Sequence, residues 1–239
     1  MVKNGLLWLE ECSSTNDEAA ARIEESGLVA VASDTQARGR GRMGRSWFSP
    51  PGCGLYMSWI ARPGFPQSMG GAIPMLAAAA AAEVVTTLGV RPTLKWPNDV
   101  LIGSKKLSGI LCEAQGSSAA WTAIVGIGLN LRTPPGGWPE GIPATALDSV
   151  IETVPSAQEL AHQIMERLKL WIGRVEREGI KPVLEVWEDY APELGTPMAQ
   201  GETRGTFAGL DADGSLRLQT PDGIVTIHAG DVELIREET

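Results

Sequence analysis

Cysteine is scarce in this 239-residue sequence: Cys12, Cys53 and Cys112 are scattered, odd in number, and form no C-x-x-C pair. A disulfide framework is thereby excluded, and a reduced, cytoplasmic chain is expected. Histidine occurs only at 162 and 228. Neither His162 nor His228 has a second ligand at metal spacing, so both are expected to be structural. Long apolar runs are missing too. The longest, Ile73 to Ala82, is well short of a membrane span, and the N-terminal apolar patch is broken by Glu10 and Glu11, unlike a signal peptide. Positive charge is in deficit, with 20 Lys and Arg against 29 Asp and Glu, a net charge of −9 and a pI near 4.8. That balance argues against a nucleic-acid binder relying on bulk charge. No G-x-x-x-x-G-K-[ST], H-R-D or D-F-G sequence occurs, which removes the Walker-type NTPases and the protein kinases.

What remains is an ordinary globular composition, 43% hydrophobic and 21% charged, with glycine prominent at 28 residues. Short β-type runs are expected at Leu6 to Leu9, Val29 to Ala32, Gly54 to Ala61, Thr93 to Trp96 and Gly109 to Glu113, and one long strand or a pair across Ala120 to Leu131. Thr15 and Glu18 have capping-box spacing, which predicts a helix from about Asn16 to Glu25. Met75 to Leu88 reads as an alanine-rich helix stopped by Gly89. Ser156 and Glu159 repeat the capping box ahead of Leu160, Ile164, Leu168, Trp171 and Val175, and Pro182 opens a shorter helix through Tyr190. From Gly195 the pattern changes to short β segments with turns at 211–214 and 221–223. Asp211 and Asp213 lack the rest of a calcium loop and belong to such a turn. We therefore expect a mixed α/β domain over residues 1–192 and a small all-β module over 193–239.

Four of the 20 basic residues fall within residues 38–45, in the segment Gln36 to Trp47. Gly39, Gly41 and Gly44 satisfy G-x-G-x-x-G, but a dinucleotide fingerprint needs a helix directly afterwards. Here Trp47-Phe48-Ser49-Pro50-Pro51-Gly52 follows, and two prolines do not open one. The segment is then a mobile loop with a guanidinium every two or three residues, each able to fork two donors onto a phosphate or carboxylate. A solvated basic loop or an RNA-contacting stretch would show the same pattern. A second segment, Lys95-Trp96-Pro97-Asn98-Asp99, reads as a turn whose Asn and Asp could face a metal-bound phosphate. Lys106 follows at the start of an apolar strand. An ordinary hairpin with surface lysines is the plainer alternative.

Taken together, five pieces in this order and spacing closely resemble the biotin protein ligase family. They are Ser14-Thr15-Asn16; Gln36 with Gly39-Arg40-Gly41-Arg42 through Trp47; Lys95 to Asp99; Lys106-Leu107-Ser108-Gly109-Ile110-Leu111; and Gly126-Ile127-Gly128-Leu129-Asn130. The resemblance covers nearly the whole chain. It implies an α+β fold, a mixed sheet flanked by helices, with a C-terminal SH3-like β-barrel. It also implies an ATP- and Mg²⁺-dependent ligase that makes biotinyl-5′-adenylate and passes biotin to one lysine of a carboxylase's biotin carboxyl carrier domain.

By resemblance, Ser14, Thr15, Asn16, Gln36, Gly39 and Gly109 should contact biotin. Arg40, Gly41 and Arg42 should close over its carboxylate and the phosphates, and Lys106 should touch both. Lys106, Arg42 and Arg40 are the expected catalytic residues. Arg45, Trp47, Asn98, Asp99 and Asn130 are expected on the ATP side, with Asp99 toward Mg²⁺. Repressor-type members carry an N-terminal DNA-binding domain, whereas this sequence begins at the catalytic domain, so DNA binding is not expected; a homodimer is compatible with the family. Some members stack adenine on a Trp after the G-x-G-x-N strand, but Ala144-Thr145-Ala146-Leu147 offers no aromatic residue. The nearest alternative is a lipoate or octanoate ligase of the same fold, disfavoured by the R-G-R-x-G-R loop. A ligand-sensing or RNA-associated module without turnover is the alternative of another class.

Overall fold

The computed structural model describes residues 2–117 and 120–235. Along the chain run β1 (Val2–Lys3), β2 (Leu6–Leu9), α1 (Thr15–Ala20), β3 (Ala30–Ser33), β4 (Gly54–Ala61), α2 (Ala72–Thr87), β5 (Thr93–Lys95), β6 (Asp99–Ile102), β7 (Lys105–Ser117) and β8 (Ala120–Asn130). There follow α3 (Ala157–Glu178), α4 (Lys181–Tyr190), β9 (Pro197–Gln200), β10 (Thr203–Leu210), β11 (Leu216–Thr220), β12 (Gly223–Ile227) and β13 (Glu233–Leu234).

The first eight strands form one mixed sheet in the order β1-β2-β3-β4-β8-β7-β6-β5. Only β2 and β3 pair in parallel. The last five make an antiparallel sheet in the order β12-β11-β10-β9-β13, the counterpart of the expected small barrel. This is the mixed α/β architecture that the sequence led us to expect.

Helix α2 explains its own composition. Ala77 through Ala82 are all fully buried, on every face of the helix. It is covered by the large sheet on one side and by α3 and α4 on the other, and methyl side chains let backbones approach closely from both directions. Helix α3 has one apolar stripe, as its spacing predicted: Leu160, Ile164, Leu168, Trp171 and Val175 are buried. Its Ser156 cap is formed in both directions, with Glu159 N donating to Ser156 Oγ at 3.2 Å and Ser156 N donating to Glu159 Oε2 at 2.9 Å. Trp187 on α4 is buried, and its indole N–H donates to the Met75 carbonyl at 2.8 Å, which ties α4 to the start of α2.

The first helix departs from expectation. It starts at Thr15 with Ser14 as its cap position and ends at Ala20, not near Glu25, and the cap side chain makes no bond to it. The Thr15–Glu18 spacing is not used as a capping box. Thr15 turns away to Gln36, with its N and Oγ1 donating to Gln36 Oε1 at 2.8 and 3.1 Å. Strand β7 is also longer than expected, running back to Lys105, and it pairs with β8 over Ser108 to Ser117.

Candidate active site

Strands β7 and β8 present a bare stretch of sheet. Residues two apart on a strand share a face, so Gly109, Leu111 and Glu113 line up on β7. Opposite them stand Gly128 and Gly126 on β8, with Gly109 paired to Gly128 and Leu111 to Gly126. Without side chains, those glycines leave a floor. Above it is a cavity of about 610 Å³, walled by the start of α1, the 36–47 loop, the 95–99 turn and residues 141–143, with Asp231, Glu233 and Leu234 of the C-terminal sheet closing one side. Ser14, Thr15, Asn16, Gln36, Arg40, Gly41, Arg42, Arg45, Trp47, Asn98, Asp99, Lys106 and Gly109 all line it.

The 36–47 loop is anchored at its base and folded at its tip. Ala37 N and Arg38 N donate to the carbonyls of Cys12 and Ser13 at 2.9 and 2.8 Å. Trp47 N donates to Gly39 O at 2.8 Å and Gly41 N to Arg45 O at 2.7 Å, so Arg42 to Gly44 form a tight turn at the tip. Gly39 does not line the cavity. A Cβ there would lie 2.5 Å from the Trp47 carbonyl, so its role is to let the two limbs of the loop touch.

Arg40, Arg42 and Arg45 of the loop each have acidic or carbonyl partners. Arg40 Nη1 donates to both oxygens of Asp17 at 2.7 and 2.8 Å, and Nη2 donates to both oxygens of Glu113 at 3.1 Å. The Asp17 hydrogen bond chiefly raises its already high pKa. Arg42 Nη1 donates to Asn98 Oδ1 at 3.0 Å and Nη2 to Gly230 O at 3.3 Å. Burial lowers the Arg42 pKa, with Asp99 opposing. Asp231 from the C-terminal sheet pairs with both Arg42, at 3.0 Å, and Arg45. Its buried Oδ1 is close enough for that charge pair but has no properly aimed hydrogen bond.

Lys106 stands on the floor between Asp99 and Trp47. Its ammonium is 2.5 Å from Asp99 Oδ1 and 5.4 Å from the Trp47 ring centre, a cation–π arrangement. Burial lowers its pKa, and the Asp99 carboxylate works against that without cancelling it. Asp99 also meets Lys95 at 2.9 Å. Burial would raise its pKa, but the two lysines outweigh burial and hold the carboxyl below its usual range. The Trp47 indole lies across Gly128, and its Nε1 is buried without a partner.

Two expectations fit the geometry poorly. Both Asp99 oxygens already face ammonium groups, Lys95 on one and Lys106 on the other, so in this state the carboxylate is engaged within the protein. Asn130 does not line the cavity. Its amide donates to Thr145 O at 2.9 Å and Lys106 O at 3.3 Å, so it fastens the Lys106 backbone. Asn98 lines the cavity, but its amide is used within the protein: Oδ1 accepts from Arg42, and Nδ2 donates to Ile110 O at 2.7 Å. It orients Arg42.

Four contributors were given no role from sequence, although Lys95 stood in the 95–99 motif. Ser58 Oγ on β4 reaches Thr15 Oγ1 at 2.8 Å and Asn16 Oδ1 at 2.6 Å. Glu113 accepts from Asn16 Nδ2 at 2.5 Å. Lys95 adds a second cation beside Asp99, and Asp231 arrives from the far end of the chain. Alternation from Gly109 could have pointed to Glu113; nothing local marks Ser58 or Asp231.

Comparison with known proteins gives a consistent picture. Residues 9–130 match the biotin/lipoate A/B protein ligase family, and residues 197–235 match the biotin protein ligase C-terminal domain. A bifunctional ligase/repressor of Bacillus subtilis is 35% identical over 235 residues, spanning 95% of this chain and 72% of that one. A biotin–[acetyl-CoA-carboxylase] ligase of Paracoccus denitrificans is 32% identical, across 94% of this chain and 98% of that one. The structure of an Aquifex aeolicus biotin protein ligase in complex with biotin and ATP superposes with a TM-score of 0.83 at 28% identity, covering 98% of this chain and all of that one.

Proposed function

This chain belongs to the biotin protein ligase family, and from that premise we propose how its residues carry out the reaction. The protein activates biotin with ATP to biotinyl-5′-adenylate, releasing pyrophosphate, and transfers biotin to a lysine of a biotin carboxyl carrier domain. The observation that carries the assignment of residues is that one cavity gathers side chains from the α1 start, the arginine loop, the 95–99 turn and Lys106.

In the first step biotin's carboxylate attacks the α-phosphate and pyrophosphate leaves. Two anions must meet, and negative charge builds on the phosphoryl oxygens. Cations already in position in a site sheltered from water are the main lever for such a step. Lys106 stands on the floor where both anions would lie, and Arg42 and Arg45 stand on the loop above it. Arg40, paired now with Asp17 and Glu113, can exchange those partners for the incoming anions. Ser14, Thr15, Asn16, Gln36 and Gly109 form the biotin end, and Trp47 and Asn98 the nucleotide end. Closure of the 36–47 loop shields the mixed anhydride from hydrolysis until a carrier lysine attacks its carbonyl carbon and AMP leaves.

Mg²⁺ enters with the ATP phosphates as part of that substrate. A reduced cytoplasmic setting is supported by three unpaired cysteines, and no helix among the described residues is long and apolar enough to cross a membrane. The net charge of −9 gives these residues no bulk attraction to DNA. We treat residues 1–192 as the catalytic domain and 193–239 as an accessory domain whose Asp231 reaches the arginine loop.

The deciding experiment is exchange of labelled pyrophosphate into ATP. Biotin should support the exchange and lipoate should not. Equal exchange with lipoate would move the assignment to the lipoate ligases, and no exchange with either would point to a binding module without turnover.

A further inference from the structure

We propose that Glu113 is a positioning residue for biotin, acting through Asn16. The inference rests on the reading that Asn16 lies against biotin. Asn16 is almost fully buried and lines the cavity. An asparagine side chain has an acceptor end and a donor end of nearly the same shape, so its neighbours must dictate which end points where. Here both ends are dictated. Ser58 Oγ approaches Oδ1 at 2.6 Å, and the Glu113 carboxylate, which can only accept, takes the Nδ2 donor at 2.5 Å. A reversed amide would set Oδ1 against a carboxylate, oxygen facing oxygen.

The rest of the surroundings would not hold that orientation. The only further partner of Nδ2 among the described residues is the Leu111 carbonyl, at 3.5 Å. Below the amide lies Gly126, where a Cβ would sit 2.4 Å from Oδ1 and force Asn16 away. Of the amide's valences, one acceptor lone pair remains open beyond Ser58. A ligand with an N–H donor, such as the ureido group of biotin, is the complement of that lone pair. Glu113 thereby fixes the polarity of the biotin end without touching biotin.

Glu113 also accepts from Arg40, so two explanations for its importance must be separated. Glutamine at this position still offers an oxygen to Asn16 Nδ2 but loses the charge that pairs with Arg40. Biotin dissociation constants should be measured by calorimetry for the wild type, E113A, E113Q, N16A and the E113A/N16A double variant, with kcat, the KM for ATP and Tm alongside. Loss of a hydrogen bond to a charged group predicts about ten-fold weaker biotin binding in E113A. E113Q should recover most of the loss, and the double variant should be no weaker than N16A alone, while the KM for ATP stays put.

If N16A binds biotin like the wild type, the assignment of the biotin end fails. If N16A is weak but E113A is not, only the present inference fails. E113Q as weak as E113A at unchanged Tm would transfer the effect to Arg40 and overturn it as well. Should E113A not fold, the comparison of E113Q with N16A still decides: E113Q must bind biotin nearly as the wild type does.

Discussion

Lys106 holds its proton less firmly than a lysine in water, because burial disfavours its charge more than Asp99 restores it. The protonated ammonium is the form that can steady an anion. A lowered pKa means that this form is lost, as pH rises, earlier than for a free lysine at about 10.4. In the exchange reaction kcat/KM for biotin, which reports on the free enzyme, should therefore bend downward below that value. Lys106→Arg should be slower yet lack the bend, since a guanidinium keeps its charge throughout the range in which a lysine loses it. A bend at or above the ordinary lysine range would contradict the assignment. Lys106 itself could be singled out from the motif it begins. Its partnership with Asp99 could not, because that depends on the β6–β7 register, which shifts between Val100 and Leu101.

Among the elements, β7 and β8 matter most as a surface. Their facing glycines make room for groups carried by other parts of the chain: a Cβ on Gly128 would lie 2.3 Å from Trp47 Cε2. Gly128→Ala should displace the indole, cost about 1–3 kcal/mol of stability as overpacking, and lower exchange by about 10²-fold through misplacement. Thermal melts with exchange rates check both, and wild-type exchange in a folded variant would refute the role given to Trp47. The two capping boxes show how local patterns fare in different surroundings. Ser156 and Glu159 form theirs because, among the described residues, no distant group bonds to those side chains. Thr15 and Glu18 do not, because Gln36 and Ser58 offer Thr15 other partners across the fold.

At the scale of the whole molecule, the two sheets share a core. Met198, Phe207, Leu216, Leu218, Ile227 and Val232 belong to the same buried cluster as α2 and the large sheet. The Trp96 N–H donates across to Gly214 O at 2.9 Å, and Arg42 and Arg45 reach Asp231. Unfolding in urea should accordingly be one transition, with tryptophan fluorescence and far-ultraviolet dichroism superimposing. An early step confined to the C-terminal strands would show the shared core to be weaker than its burial suggests.

The sequence by itself determined the family, most of the order of elements, the apolar stripe of α3 and the motifs that supply many of the residues lining the cavity. Those signals are local: periodicity, glycine spacing and short motifs survive being read along a line. Only the tertiary structure decided the pairings. Asp99 is held by two lysines, Asn130 by backbone carbonyls, Asn16 between Ser58 and Glu113, and the arginine loop by Asp231. A side chain's partner is set by which strands lie side by side and in what register, and that is a property of the packed sheet, not of its separate segments.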